Sequence, residues 1–355
     1  MSNFDLPSLA LKAAFPRNSI IVDDKGLPSV MVKIPKFKMS DVITGGSSNT
    51  HPAFIVDGVE KDAIYISKYQ NVVYNGRAYS LPGEDPAANL NAETAMGYCS
   101  AKGTGWHLMT AIEWGAIALW CKKNGFLPWG NNNYGKDSRE TVYTAIPTTQ
   151  SSGQTNRVAT GTGPVKWSHN GQLDGIYDLN GNVSEWTGGM RLVKGELQIL
   201  ANNNAANSAN SQAASSAQWK AIDGTDGSLI TPNGSGTTTN SLKLDYVSSK
   251  WKWITGTISS QSDSSRNCTF VSVTADSGVS AAAKELLYAL GLLPDDTSFD
   301  YEGDVLYANN GADERFPARG GTWNRGAYAG VFCTYLGDAR TYTNASLGFR
   351  SAFYE

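Results

Sequence analysis

Charge is scarce in this sequence. Charged residues occupy 17% of its 355 positions and nearly cancel, leaving a net charge of -3. That balance gives no electrostatic case for binding nucleic acid or an anionic membrane surface. Histidine is scarcer: there are three, His51, His107 and His169. None falls in a metal-binding or nucleophile-activating spacing, so structural or surface roles are expected. No apolar run approaches the ~18 residues of a spanning helix, and membrane insertion is not expected. The opening Met1-Ser-Asn-Phe-Asp has neither the basic nor the apolar segment of a secretory signal. The four cysteines, Cys99, Cys121, Cys268 and Cys333, lie far apart without a CxxC pair. A disulfide framework or zinc site is therefore not expected, and Cys99 and Cys121, among apolar neighbours, read as buried thiols.

Glycine is abundant, at 37 residues, alongside 10 tryptophans. With so little charge, this suits a loop-rich fold better than a helical bundle. Residues 1–50 read as a separate leader: a short helix from Ala10 to Phe15, a strand in Ser29-Val-Met-Val-Lys-Ile-Pro-Lys-Phe, and a flexible link at Gly45-Gly-Ser-Ser-Asn-Thr. Such a leader would serve attachment to a particle, or oligomerisation as a homo-oligomer, a trimer for instance. Residues 51–79 are β-rich, with a tight-turn signal at Asn75-Gly76. Ala92, Ala95, Met96 and Cys99 follow helical spacing within a helix over 91–102. A second helix over 110–123 opens with Thr110 and Glu113 in a capping-box pattern and carries Trp114, Ile117, Ala118 and Cys121 as its stripe. Residues 191–314 are expected to be a partly folded insert. They hold a polar low-complexity run from Ala201, strand-like Ser241-Leu-Lys-Leu-Asp-Tyr-Val and Trp251-Lys-Trp-Ile, and a helix capped by Ser280.

The C-terminal segment interleaves two kinds of residue. Gly320, Gly321, Trp323, Gly326, Gly330, Val331, Phe332, Leu336, Ala339, Arg340, Gly348, Phe349 and Arg350 are small, apolar or structurally demanding, as a framework would be. Thr322, Arg325, Ala327, Tyr328, Cys333, Thr334, Tyr335, Gly337, Asp338, Tyr342, Asn344, Ala345 and Ser346 form a mixed set that reads as side chains pointed at a ligand.

The stretch Arg319-Gly-Gly-Thr-Trp-Asn, Ala329-Gly-Val-Phe, Ala339-Arg340 and Gly348-Phe-Arg resembles the variable region of diversity-generating retroelement target proteins, especially those of gut bacteriophages. In that family an error-prone reverse transcriptase randomises template adenines, which never yields Glu, Gln, Lys, Met or Trp. None of the thirteen mixed positions is one of those five. Further motifs are similar to the formylglycine-generating-enzyme (sulfatase-modifying factor) branch of the C-type lectin fold. They are Tyr98-Cys99, Leu108-Met-Thr110, Glu113-Trp114, Pro128-Trp-Gly130, Gly175 to Trp186, Arg319 to Trp323 and Gly348-Phe-Arg350. The resemblance implies an α+β, C-type lectin-like fold built from residues 51–190 and the variable region 315–355, interrupted by the insert.

It also implies chemistry to test. The matching positions of the enzymes bind calcium, so Asp178, Gly181, Val183 and Glu185 would hold a structural Ca²⁺ through oxygen ligands. The alternative is that Asp178 and Glu185 cap turns or pair with a buried arginine such as Arg350. Arg340 and Arg350 are expected to satisfy loop carbonyls. The reactive cysteine pair of the enzymes falls at about Phe332 and Gly337, neither of them cysteine, so no catalysis is expected. The expectation is a receptor-binding protein of a phage tail or bacterial cell surface. Its partner would be a host-cell surface protein or polymer, with the thirteen mixed residues as ligand-binding positions. An oxidase and a purely structural virion or cell-surface protein are the alternatives.

Overall fold

The last strand of the chain lies inside a sheet made from its beginning. In this computed structural model, which describes residues 6–355, Ser351–Phe353 sits between Ala63–Ser67 and Trp106–Leu108. The same antiparallel sheet continues outward from Ala63–Ser67 through Pro28–Pro35 to Asn18–Val22. This corrects the reading of residues 1–50 as a separate leader, of which residues 1–5 lie outside those described. Met31 pairs with Ser67, and Met31, Val32 and Ile34 are buried. The supposed flexible link is also tied down: Ser47 gives its backbone N–H and hydroxyl to Glu285, at 2.8 and 2.5 Å. The alternating pattern of Pro28–Pro35 is that of a strand with a buried face, and the burial comes from this chain's own core.

The helices form where their caps are. Asn91 accepts the N–H of Thr94 at the start of Ala92–Ser100, and Ser280 accepts that of Ala283 ahead of Ala281–Ala289. Thr110 and Glu113 close the capping box of Ala111–Lys123 reciprocally, at 3.2 and 2.9 Å. That helix is buried on more than the expected stripe, since Ile112, Ala116 and Leu119 are covered too. Gly115 allows it: an added Cβ would lie 2.0 Å from the carbonyl oxygen of Ala289, so the two helices meet backbone against backbone there. Asn75 and Gly76, both with positive φ, make the turn between Val72–Tyr74 and Arg77–Tyr79.

Residues 191–314 are folded into the rest. Glu196–Ile199, Lys243–Val247 and Lys250–Ile254 are central to a second sheet, with Trp251 and Trp253 buried. Arg266–Thr269 and Val305–Ala308 do more. They extend a third sheet whose order continues through Thr334–Leu336, Ala318–Arg319, Ser184–Trp186 and Leu347–Phe349. The insert therefore supplies two strands to the sheet that carries the C-terminal segment. Among the described residues no helix is long and apolar enough to cross a membrane.

Candidate functional site

The third sheet and the loops above it enclose a cleft of about 220 Å³. Nine of the thirteen mixed positions line it: Thr322, Arg325, Tyr328, Cys333, Tyr335, Asp338, Tyr342, Asn344 and Ser346. Of the other four, Ala327 and Ala345 are exposed nearby and Gly337 is half-buried. An added Cβ at Gly337 would come within 2.8 Å of the Tyr307 ring. Thr334 is different. It is fully buried, and its hydroxyl takes a hydrogen bond from the Arg319 guanidinium. Cys333 is also buried, at 5% exposure, and forms floor rather than rim. The expectation that all thirteen face solvent is corrected at these two positions. In Thr334–Leu336 side chains alternate between faces, and the position between Cys333 and Tyr335 must point inward.

The framework residues lie beneath. Trp323, Val331, Phe332, Leu336 and Phe349 are all buried. Phe332 packs between Phe270 and Tyr301, with ring centroids 5.0 and 4.9 Å away. Its N–H donates to buried Asp304 at 2.7 Å, and the Trp114 indole donates to the carbonyl of Val331 at 2.7 Å. An added Cβ on Gly330 would lie 1.9 Å from Asp304 Oδ1, so no other side chain fits there without displacement. Burial pushes the Asp304 carboxyl up to about 8. Burial also lowers Arg319 to about 10, and its Nε and Nη2 have no partner.

Main-chain bonds hold the loops that carry the mixed set of side chains. Gly326 N–H donates to Asn132 O at 2.9 Å and Tyr134 N–H to Trp323 O at 2.7 Å. Asn89 N–H donates to Asn344 O at 2.9 Å and Ser184 N–H to Ser346 O at 2.8 Å. Such bonds fix the backbone whatever the side chain is, because each residue other than proline brings the same N–H and C=O.

Some cleft residues were not anticipated from sequence. Asn267, Val305 and Tyr307 come from the insert, and Ser184, Ala318, Gly321 and Leu347 complete the lining. The alternation in Val305–Ala308 is the one local signal that could have marked Tyr307 as facing outward from a strand.

The proposed calcium loop has a different occupant. The carbonyl oxygens of Asp178, Gly181 and Val183 and the Oε1 of Glu185 converge on one atom, the side-chain nitrogen of Gln70. The separations are 3.2, 3.4, 2.9 and 3.0 Å. An amide nitrogen has two hydrogens, so four acceptors crowd a two-donor group. Asp178 contributes its carbonyl rather than its carboxylate, which accepts the Gly161 N–H at 3.0 Å through Oδ2 and leaves Oδ1 unpartnered. Burial raises that carboxyl to about 6. Both oxygens of Glu185 accept from Arg350, each at 2.6 Å, and the same guanidinium donates to the carbonyls of Ser67 and Tyr177 at 3.0 Å. The donor set is of the kind Ca²⁺ takes, but Gln70 fills its centre and Arg350 neutralises its carboxylate. The loop does not fit a metal as the expectation had it; the arginine pairing does. Arg340 likewise grips Glu314 with two donors, at 2.5 and 2.6 Å, and donates to Gln212 O.

Thiol chemistry finds little to work with. The four cysteines are unpaired and buried, and burial pushes the Cys333 thiol up to about 12, far from the thiolate a nucleophile needs. His51 and His169 are buried and held neutral, both lowered by burial to about 3. His107 bonds Glu113 at 2.9 Å inside the fold.

A family model, the sulfatase-modifying factor enzyme 1-like domain, matches residues 13–224, more than half of the chain. Its start at residue 13 lies ahead of Asn18–Val22, so the match takes in the N-terminal strands of the first sheet. No curated protein matches the sequence. Among solved structures, Treponema denticola variable protein 1 is similar at 12% identity and a TM-score of 0.33, over 95% of this chain and 99% of that one. PvdO from Pseudomonas aeruginosa is similar at 13% identity and a TM-score of 0.31, over 95% and 98%.

Proposed function

The chain belongs to the sulfatase-modifying factor enzyme 1-like domain family, with an α+β, C-type lectin-like fold, and on that scaffold we propose a ligand-binding protein rather than an oxidase. Its recognition surface is the C-terminal cleft, diversified by a retroelement. It serves host recognition for a phage or prophage, on a phage tail or at the bacterial cell surface, and its partner is a surface protein or polymer of the host cell. One observation carries the reading: nine positions singled out by the interleaved residue pattern of the C-terminal segment line one cleft, although they are scattered over 25 residues of sequence from Thr322 to Ser346. Function then lives in loop side chains on a rigid scaffold. Tyrosines serve as anchors with few rotatable bonds, as in antibody paratopes. Against the oxidase stand Phe332 and Gly337 where the reactive cysteine pair would be, and the burial of Cys333.

The test is genetic. A reverse-transcriptase gene and a near-copy of the 3′ coding end, differing mainly at adenines, should lie beside this gene. Sequencing many copies of the gene should find substitutions at the cleft codons and invariant codons at Trp323, Val331 and Phe332. Variation spread evenly over the chain would refute it.

A further inference from the structure

The polar groups of the cleft are unequally engaged. Asn344 accepts the N–H and hydroxyl of Ser346, at 2.9 and 2.8 Å, and donates to the Tyr342 hydroxyl at 3.1 Å. The Thr322 hydroxyl bonds Asn324 at 2.8 Å. These neutral groups already have partners. The carboxylate of Asp338 has none: among the described residues no hydrogen bond or ion pair reaches it, and only its backbone carbonyl is used, by Phe316 N–H. It is half-buried in the lining, in company with Tyr307, Tyr328, Tyr335 and Tyr342. Tyr307 and Tyr335 stack on each other with centroids 4.4 Å apart. Aromatic faces are electron-rich and attract cations, more strongly where water is excluded. An unpartnered carboxylate thus lines this cleft together with four such rings.

We propose that the cleft seats a cationic group, the ammonium or guanidinium tip of a lysine or arginine side chain on the partner protein, against Asp338 and the surrounding tyrosine rings. The inference rests on the reading of the cleft as the recognition site and names what that site recognises. Size favours a single protruding side chain: at about 220 Å³ the cleft is smaller than the roughly 300–1,000 Å³ of pockets that enclose a whole small molecule. A neutral sugar would find the Thr322, Asn344 and Ser346 side chains already engaged. An anion would have to approach Asp338. The positive groups nearby are Arg325, exposed on the rim, and Arg315, which donates to Glu314 O. Neither reaches Asp338 within ion-pair distance, although both pull its titration down against burial, which holds it at about 6. An incoming cation would relieve that burial cost.

The test titrates the whole chain with four probes, followed by NMR at pH 7.5: Nα-acetyl-lysine amide, Nα-acetyl-arginine amide, the uncharged Nα-acetyl-norleucine amide and methyl glucoside. The two cations should bind roughly tenfold or more tightly than the norleucine probe. Asp338→Asn should erase that difference while the melting temperature holds or rises, because the side chain has no internal partner to lose and the burial cost of the carboxylate is removed. Arg325→Gln should keep or tighten cation binding, since it removes a like charge. Cation affinity should also fall as pH drops through about 6, with Arg315, Arg325, Cys333 and the tyrosines Tyr307, Tyr335 and Tyr342 as the other titratable or charged groups around Asp338. The proposal is overturned if norleucine or glucoside binds as well as lysine, if no cation saturates the cleft, or if Asp338→Asn binds cations like the parent. Those failures would leave the recognition reading intact, provided that natural substitutions still cluster on the cleft. Invariant cleft codons would remove the recognition reading itself.

Discussion

Tyr307 and Tyr335 lie face to face, with ring centroids 4.4 Å apart and 8° between their planes. They are register partners on adjacent parallel strands, one from the insert and one from the C-terminal segment. A residue outside the thirteen mixed positions thus supports one among them. Replacing Tyr307 with Ala should weaken target binding although the C-terminal segment is untouched. The lost pairing should cost about 0.5–1.5 kcal/mol beyond the lost burial. Urea unfolding and a binding titration on the same variant check both halves.

Exposed and buried aromatics of the C-terminal segment should separate cleanly. Tyr328 and Tyr342 are 58% and 43% exposed, whereas Phe349 is fully buried. Replacing both tyrosines with Ala should shift stability by no more than ~0.5 kcal/mol and abolish binding. Phe349→Ala should cost ~3–5 kcal/mol. Denaturation midpoints read against target binding decide this.

The Gln70 amide predicts an unusual response to metal. Thorough chelation should leave the melting temperature unchanged. Gln70→Ala should lower stability by ~1–3 kcal/mol for each buried acceptor left without a partner. Arg350→Lys should be worse, because a lysine cannot reproduce the two-pronged grip on Glu185. Breaking such a buried pair costs ~3–5 kcal/mol. A chelator-induced drop in melting temperature would restore the calcium reading.

Asp304 should mark the pH profile. Its folded carboxyl is raised to about 8 from an ordinary 3.8, so the folded state binds the proton more tightly than the unfolded one. Stability from this group is full below about 4 and is lost as pH rises through about 8. Asp304→Asn should therefore gain on the parent between pH 5 and roughly 8.5. Asn can still accept the Phe332 N–H. Thermal melts across that range should show the two curves separating as pH rises.

The parts of the fold legible in sequence are the local ones. Thr110 with Glu113, and Ser280, are caps whose chemistry acts within one helical turn, and each of these helices starts where its cap places it. Pairing partners were not legible. The alternation of Pro28–Pro35 says that a strand with one buried face exists. It does not say that Met31 meets Ser67 or that Ser351–Phe353 lies on the far side of Ala63–Ser67. The same limit hid Tyr307, whose place in the cleft depends on an insert strand joining the C-terminal sheet. Within the cleft the pattern marked nine lining residues but included Thr334, because nothing in its chemistry distinguishes a threonine on the inner face from one on the outer. Gln70 was hidden because the oxygens it meets lie over a hundred residues away.

The central claim is that the cleft tolerates wholesale exchange while the framework beneath it does not. Two display libraries test it directly by the fraction of members that resist protease. One randomises Thr322, Arg325, Tyr328, Asp338, Tyr342, Asn344 and Ser346; the other randomises Trp323, Val331, Phe332, Leu336 and Phe349. Most of the cleft library should remain protease-resistant, and almost none of the framework library should. Equal loss of resistance in the two libraries would contradict the account.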